Sequence, residues 1–174
     1  MRRHRTRVLA AIVSVAAVSA LVVAAALVVR PARATPSTGV TTTILAKSVF
    51  DPIHVNSHAR TADHWRAQLK THGHSDVYVV DNKFAPGGTT GWHSHPGPSL
   101  ILVVSGTVTN YRGDDPSCTP HPYTAGAGFI DPGGRDVHLL RNETGAPAET
   151  IAVQLLPKDA VRRTDAPDPG NCSF

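Results

Sequence analysis

Apolar residues along the chain fall into one long run followed by a series of short ones. From Val8 to Val29, 22 residues pass without a charge, interrupted only by Ser14 and Ser19. Beyond Thr41 the apolar stretches shorten and become β-branched: 41–46, 49–55, 77–80, 100–111, 128–130, 137–141 and 149–156. Short runs of this composition predict strands. They are separated by Pro86-Gly87-Gly88, Asp114-Asp115-Pro116, Pro132-Gly133-Gly134 and Asn142-Glu143-Thr144-Gly145, residue types that reverse the chain. Strands punctuated in this way predict an all-β, antiparallel barrel or sandwich. Only 61–70, with Trp65 and Leu69 four residues apart, reads as a short helix. Residues 35–40 are rich in Pro, Ser, Thr and Gly and predict a short linker. The expected organisation is therefore a single β domain over 41–174, of about 130 residues with a C-terminal tail.

The long run has a different use. At 1.5 Å per helical residue it covers about 33 Å, enough for a hydrocarbon core of about 30 Å, whereas a secretory signal needs an apolar stretch of only about 7–15 residues. Length thus favours a retained anchor. Against it, Ala32-Arg33-Ala34 follows Pro31 and fits a signal-peptidase site, with Thr35 as the mature N-terminus. Residues 1–34 are read as a signal anchor or a cleaved signal peptide, and both readings stay open. Four arginines precede the run and two follow it, which puts the N-terminus in the cytoplasm and the rest outside. The expected location is extracytoplasmic, either single-pass and anchored through this segment or secreted. A buried core helix fits poorly, because the run has no polar face to meet water.

Charge adds little once it is located. The sequence has 17 Lys and Arg against 13 Asp and Glu, a formal +4. Six of the basic residues and no acid lie within 1–34, so the remainder is slightly acidic. Beyond that segment the basic residues cluster only at Arg162-Arg163, which excludes nucleic acid as a partner. The two cysteines, Cys118 and Cys172, would form one bridge in an oxidising compartment and tie the tail to the body. Neither has a second cysteine at metal-finger spacing, although His121 follows Cys118 by three residues.

Candidate chemistry sits in the histidines. His93 and His95 are one residue apart, so in an extended segment both rings leave the same face and can grip one metal ion. His138 lies in a predicted strand that an antiparallel neighbour can bring over them. His54, His58, His64, His72 and His74 are expected at the surface. The glycines and prolines around the first three make the pattern specific. Gly87, five residues, His93-Ser94-His95, three residues, Ser99, six residues and Gly106 resemble the first motif of the cupin superfamily. Gly126, five residues, Pro132-Gly133-Gly134, three residues, His138, three residues and Asn142 resemble the second, with one residue added before the histidine.

The resemblance implies a jelly-roll-like cupin barrel and a divalent transition metal held by His93, His95 and His138. The family's usual glutamate ligand is replaced by Ser99, a poor ligand that cannot offset the metal's charge. A site of three neutral imidazoles resembles that of three-histidine dioxygenases, and an open, more positive centre favours an anionic or chelating ligand. Iron is the first expectation, with zinc, manganese or nickel as alternatives. The expected function is an extracytoplasmic, metal-dependent oxygenase acting on a small molecule. The alternative is a non-catalytic module that binds a small ligand, sugar or metal. Ser99, Gln154 and Trp92 are candidates for supporting positions around the ligands, with outward alternation the other reading of Gln154 and packing at the barrel mouth the favoured reading of Trp92. Tyr111 and Tyr123 are expected as core residues with a polar tip, and Arg135 as a surface residue in a turn. Cupins often pair through edge strands, so a homodimer is a further expectation.

Overall fold

A computed structural model describes residues 34–59 and 64–174, and the apolar run over 8–29, with its signal or anchor reading, lies outside them. Among the described residues no helix is long and apolar enough to cross a membrane. The chain forms the strands β1 (Thr38–Phe50), β2 (His54–His58), β3 (Arg66–Lys70), β4 (Ser75–Thr89), β5 (His93–Ser94) and β6 (Ser99–Ser105). It continues with β7 (Thr107–Arg112), β8 (His121–Thr124), β9 (Gly128–Asp131), β10 (His138–Arg141), β11 (Ala148–Pro157) and β12 (Thr164–Asp165). Two antiparallel layers result. One runs β1-β4-β11-β6-β9 and the other β12-β5-β10-β7-β8. They join where Arg141 of β10 pairs with Thr89 of β4, giving a nearly closed barrel.

Alternation along the strands builds the interior. Tyr78, Val80 and Phe84 of β4, Ser99, Ile101 and Val103 of β6, and Ala148, Thr150, Ala152, Gln154 and Leu156 of β11 are buried at even spacings, two residues apart except where the half-buried Asn82 stands between Val80 and Phe84. Phe84, Val103, Val108, Leu140 and Ala148 close one end as an apolar plug. Leu100, Leu102 and Val104 of β6 point the other way and are exposed.

Several elements depart from the sequence-based expectations. The predicted strand 100–111 is two strands, broken at Gly106, whose φ of 69° suits the turn between them. Pro86-Gly87-Gly88, expected as a turn, lies within β4. Residues 35–40, expected as a linker, are tied in: Thr35 bonds to Ala166 and Trp92, and Thr38 begins β1. The helix expected over 61–70 is contradicted where the structure describes it. Arg66–Lys70 is strand β3, paired with β2 from His54↔Lys70 to His58↔Arg66. The physical reason is that a four-residue spacing is even. Trp65 and Leu69 share a face in an extended segment as well as in a helix.

The segment after β11 lies over the outer face of the second layer. Its strand β12 pairs with β5, and Ala166 packs with Trp92, Tyr111 and Leu139. A disulfide joins Cys118 to Cys172 against that cluster. The Phe174 ring meets Tyr111 at 4.8 Å between centroids and carries the Arg141 guanidinium at 4.0 Å.

Candidate metal centre

His93 and His95 enter the barrel from the segment around β5, and His138 enters from the start of β10, directly opposite His93 in the ladder. Turn geometry fixes this approach. Gly91 has a φ of 67°, and a Cβ there would collide with the Thr35 carbonyl. Gly133 has a φ of 70° and packs against the Gly97 backbone so closely that only glycine fits. The neighbouring Gly134 N–H donates to the His95 carbonyl at 2.7 Å. The two histidine-bearing segments are thus clasped backbone to backbone.

All three rings are buried, and their ligand nitrogens lie within 4.8 Å of one another. Ring centroids are 4.3 Å apart for His93 and His138, 4.9 Å for His93 and His95, and 5.6 Å for His95 and His138. The remote nitrogens of His93 and His95 are occupied. His93 Nδ1 donates to the Gly91 carbonyl at 2.8 Å, and His95 Nδ1 donates to the Arg162 carbonyl at 2.7 Å. His138 Nδ1 lies 3.4 Å from Asp131 Oδ1, an ion-pair approach whose geometry falls short of a hydrogen bond. The Nε2 lone pairs of His93 and His95 are therefore left free for a metal ion. Imidazoles held through Nδ1 by carbonyl or carboxylate oxygens are what a divalent transition metal requires of its ligands. The donor set fits such an ion.

Electrostatics agree with a neutral donor set. Burial, reinforced by the neighbouring His138 and Arg163, pushes the His93 ring well below its ordinary value. Burial also lowers His95, to about 4, although its bond to the Arg162 carbonyl acts the other way. Burial by itself would raise the Asp131 carboxyl, but the His138 ring and the Gly133 N–H outweigh it and hold Asp131 below the usual carboxylate range. An anion thus stands one ring behind the centre. This alters the expectation of a site built from neutral groups alone.

Ser99 stands where the family motif has an acid, and it is only 1% exposed. Its hydroxyl accepts from Gln154 Nε2 at 3.2 Å, while Gln154 Oε1 accepts from Arg162 Nη1 at 3.0 Å. The guanidinium can only donate, so it fixes the orientation of the Gln154 amide. The 3.4 Å approach of Gln154 Nε2 to His95 Nδ1 is consequently a contact between two N–H groups. A cavity of about 90 Å³ opens beside the histidines. Val80, Ile101, Leu140 and Ala152 form its apolar wall, with Gln154, Arg162 and Arg163 among its polar residues. The Thr150 hydroxyl also lines it and has no hydrogen-bond partner among the described residues.

Of the residues singled out in the sequence, His93, His95, His138, Ser99 and Gln154 meet here, and Trp92 does not. Trp92 neighbours His93 on an extended segment, so its side chain leaves the opposite face and packs with Tyr111, Leu139 and Ala166. Tyr111 is buried there and donates to Glu143 at 2.9 Å, whereas Tyr123 is half-buried and stacks on Phe129. Arg135, His54, His58, His64, His72 and His74 are exposed. Sequence reasoning missed Asp131 and the role of Arg162. Asp131 immediately precedes the Pro132-Gly133 turn, which is a usable signal, while Arg162 reaches the site through a segment 67 residues from His95.

Comparison with known proteins places this architecture. The family model described as a cupin domain matches residues 82–154, a span that contains all three histidines. Among solved structures, the polyketide cyclase RemF from Streptomyces resistomycificus is 17% identical with a TM-score of 0.50, covering 79% of this chain and 80% of that one. A cupin superfamily protein from Desulfitobacterium hafniense is 14% identical with a TM-score of 0.44, covering 67% and 77%. An uncharacterized conserved protein with a double-stranded β-helix domain from Klebsiella pneumoniae is 23% identical with a TM-score of 0.45, covering 67% and 84%. At such identities the likeness concerns the fold alone. No curated protein matches the chain. With both histidine motifs inside the matched span and an antiparallel barrel around them, residues 82–154 are matched as a cupin domain.

Proposed function

We propose that this cupin is a metal-dependent enzyme of the dioxygenase type acting on a small molecule outside the cytoplasm. The observation that carries the reading is the convergence of three buried imidazoles, with no carboxylate in the motif's acidic position, where Ser99 is tied instead to Gln154. Iron bound there would supply open coordination positions and the redox capacity for oxidation by O₂; zinc, manganese and nickel are the other metals the donor set accommodates.

The chain's own residues do the remaining work. The Gly91 and Arg162 carbonyls hold the His93 and His95 rings in one tautomer, and Asp131 supports His138. Val80, Ile101, Leu140 and Ala152 keep water from one side of the cavity. Gln154, oriented by Arg162, presents its amide beside the ligands. A cavity of about 90 Å³ holds the equivalent of about three waters, so the substrate is small or enters by a small head group. The Cys118–Cys172 bridge agrees with an oxidising compartment.

The modest size of that cavity also supports a second reading, a binding module that captures a small ligand or metal without turnover. Metal analysis of the full-length chain purified without oxygen, followed by oxygen-uptake assays with small thiols and β-diketones, tests the first. The enzyme reading expects about one transition metal per chain and uptake that disappears in His138→Ala. A chain that purifies without any transition metal overturns it. Metal and ligand binding with no product by mass spectrometry favours the binding module.

A further inference from the structure

Among the described residues three arginines are half-buried: Arg141, Arg162 and Arg163. Arg141 Nε lies 3.7 Å from Glu143, and Arg163 Nη2 lies 2.6 Å from Asp165. Arg162 faces no carboxylate among the described residues. Its side chain donates to one neutral acceptor, Gln154 Oε1, and it lines the histidine cavity beside Arg163. A cation withdrawn from water without a counter-charge costs stability unless something else supplies that charge. Here both routes to an internal counter-charge are closed. Ser99 takes the motif's acidic position, and Asp131 lies behind His138 with its Oδ1 bonded to the Gly133 N–H.

We infer that Arg162 is the anion anchor of this cavity and that the ligand is a small carboxylate, whose carboxyl group the Arg162 guanidinium binds beside the three histidines. This rests on the reading of the cavity as a ligand-binding metal centre and names the class of molecule that enters it. A guanidinium forms paired, charge-assisted hydrogen bonds to a planar carboxylate, a geometry that a neutral amide of the same shape cannot match in strength. The apolar wall excludes competing water, and the cavity volume limits the bound portion to a short chain. Arg162 acts on the ligands as well, since its carbonyl fixes His95 and its side chain fixes Gln154. One residue therefore joins anion recognition to the setting of the metal ligands.

Acetate and acetamide form the test pair, titrated into the full-length chain both metal-free and loaded with redox-inactive zinc, with binding followed by NMR. Acetate is expected to bind, with acetamide about tenfold weaker or worse. Arg162→Met is expected to weaken acetate about tenfold or more without loss of bound zinc, and Arg135→Met, at an exposed turn, to leave acetate binding unchanged. Acetate binding that is absent, matched by acetamide, or retained within about twofold in Arg162→Met overturns the inference. If Arg162→Met does not fold, the wild-type chain decides. The side-chain Nε–H signal that disappears in Arg162→Lys must shift on adding acetate, and a signal that stays fixed overturns the inference. Acetate binding that depends on Arg162 in a chain that takes up no metal would sink the metal reading and leave the anion anchor standing.

Discussion

The two ends of the barrel interior are built by the same strands and filled in opposite ways. β6 sends Val103 to one end and Ser99 to the other, β11 sends Ala148 and Gln154, and β10 sends Leu140 and His138. At the apolar end, Phe84, Val103, Val108, Leu140 and Ala148 need only fit one another. At the histidine end, the buried His93, His95, Ser99 and Gln154 side chains each meet a particular oxygen or N–H. Packing can be satisfied by any residues of suitable volume, whereas this polar arrangement requires particular atoms in particular places.

The comparison predicts separable consequences. Truncating the apolar end should cost the most stability. Phe84→Ala is expected to lower unfolding free energy in urea by about 3–5 kcal/mol while zinc affinity per folded molecule stays within about twofold. A larger loss of zinc affinity would show that the two ends are coupled. At the other end, Asp131→Asn should reverse the pattern, with zinc affinity falling about 10–100-fold in a chelator competition and a smaller change in melting. Unchanged affinity would remove Asp131 as the support of His138.

A third consequence concerns pH. His95 is held neutral in the fold to about pH 4, while the unfolded chain takes up its proton near pH 6.5. Its contribution to stability is thus intact above about 6.5 and is lost as pH falls toward 4, at up to about 1.4 kcal/mol per unit. His93 is lowered by the same cause and adds to the slope. Urea unfolding of the metal-free chain across this range should show the slope, and His95→Gln should flatten it. An equal slope in that variant would mean that other groups carry the acid sensitivity.

The apolar interior was largely legible in the sequence, because strand alternation places Ile101 and Val103, or Ala148 and Ala152, on one face without reference to distant residues. The three histidines and Ser99 were legible through their spacing from glycines that the turns require. Their supporting atoms were not. Asp131 meets His138 through the strand register, and the Arg162 carbonyl meets His95 only after the chain has crossed β11 and turned back. Trp92 packs away from the cavity, because its neighbour His93 faces inward and so sends the indole to the opposite face. The same limit explains β3, where an even residue spacing served two kinds of secondary structure equally well.

The bridge between Cys118 and Cys172 lies ten residues beyond Arg162, in the segment that supplies the His95 acceptor and the cavity guanidinium. Attachment to the end of β11 already keeps Arg162 near the cavity, and the bridge fastens the far end of the same arm. A segment fastened at both ends loses less freedom on ordering than a free tail, so the cross-link lowers the entropic cost of keeping Arg162 on the cavity wall.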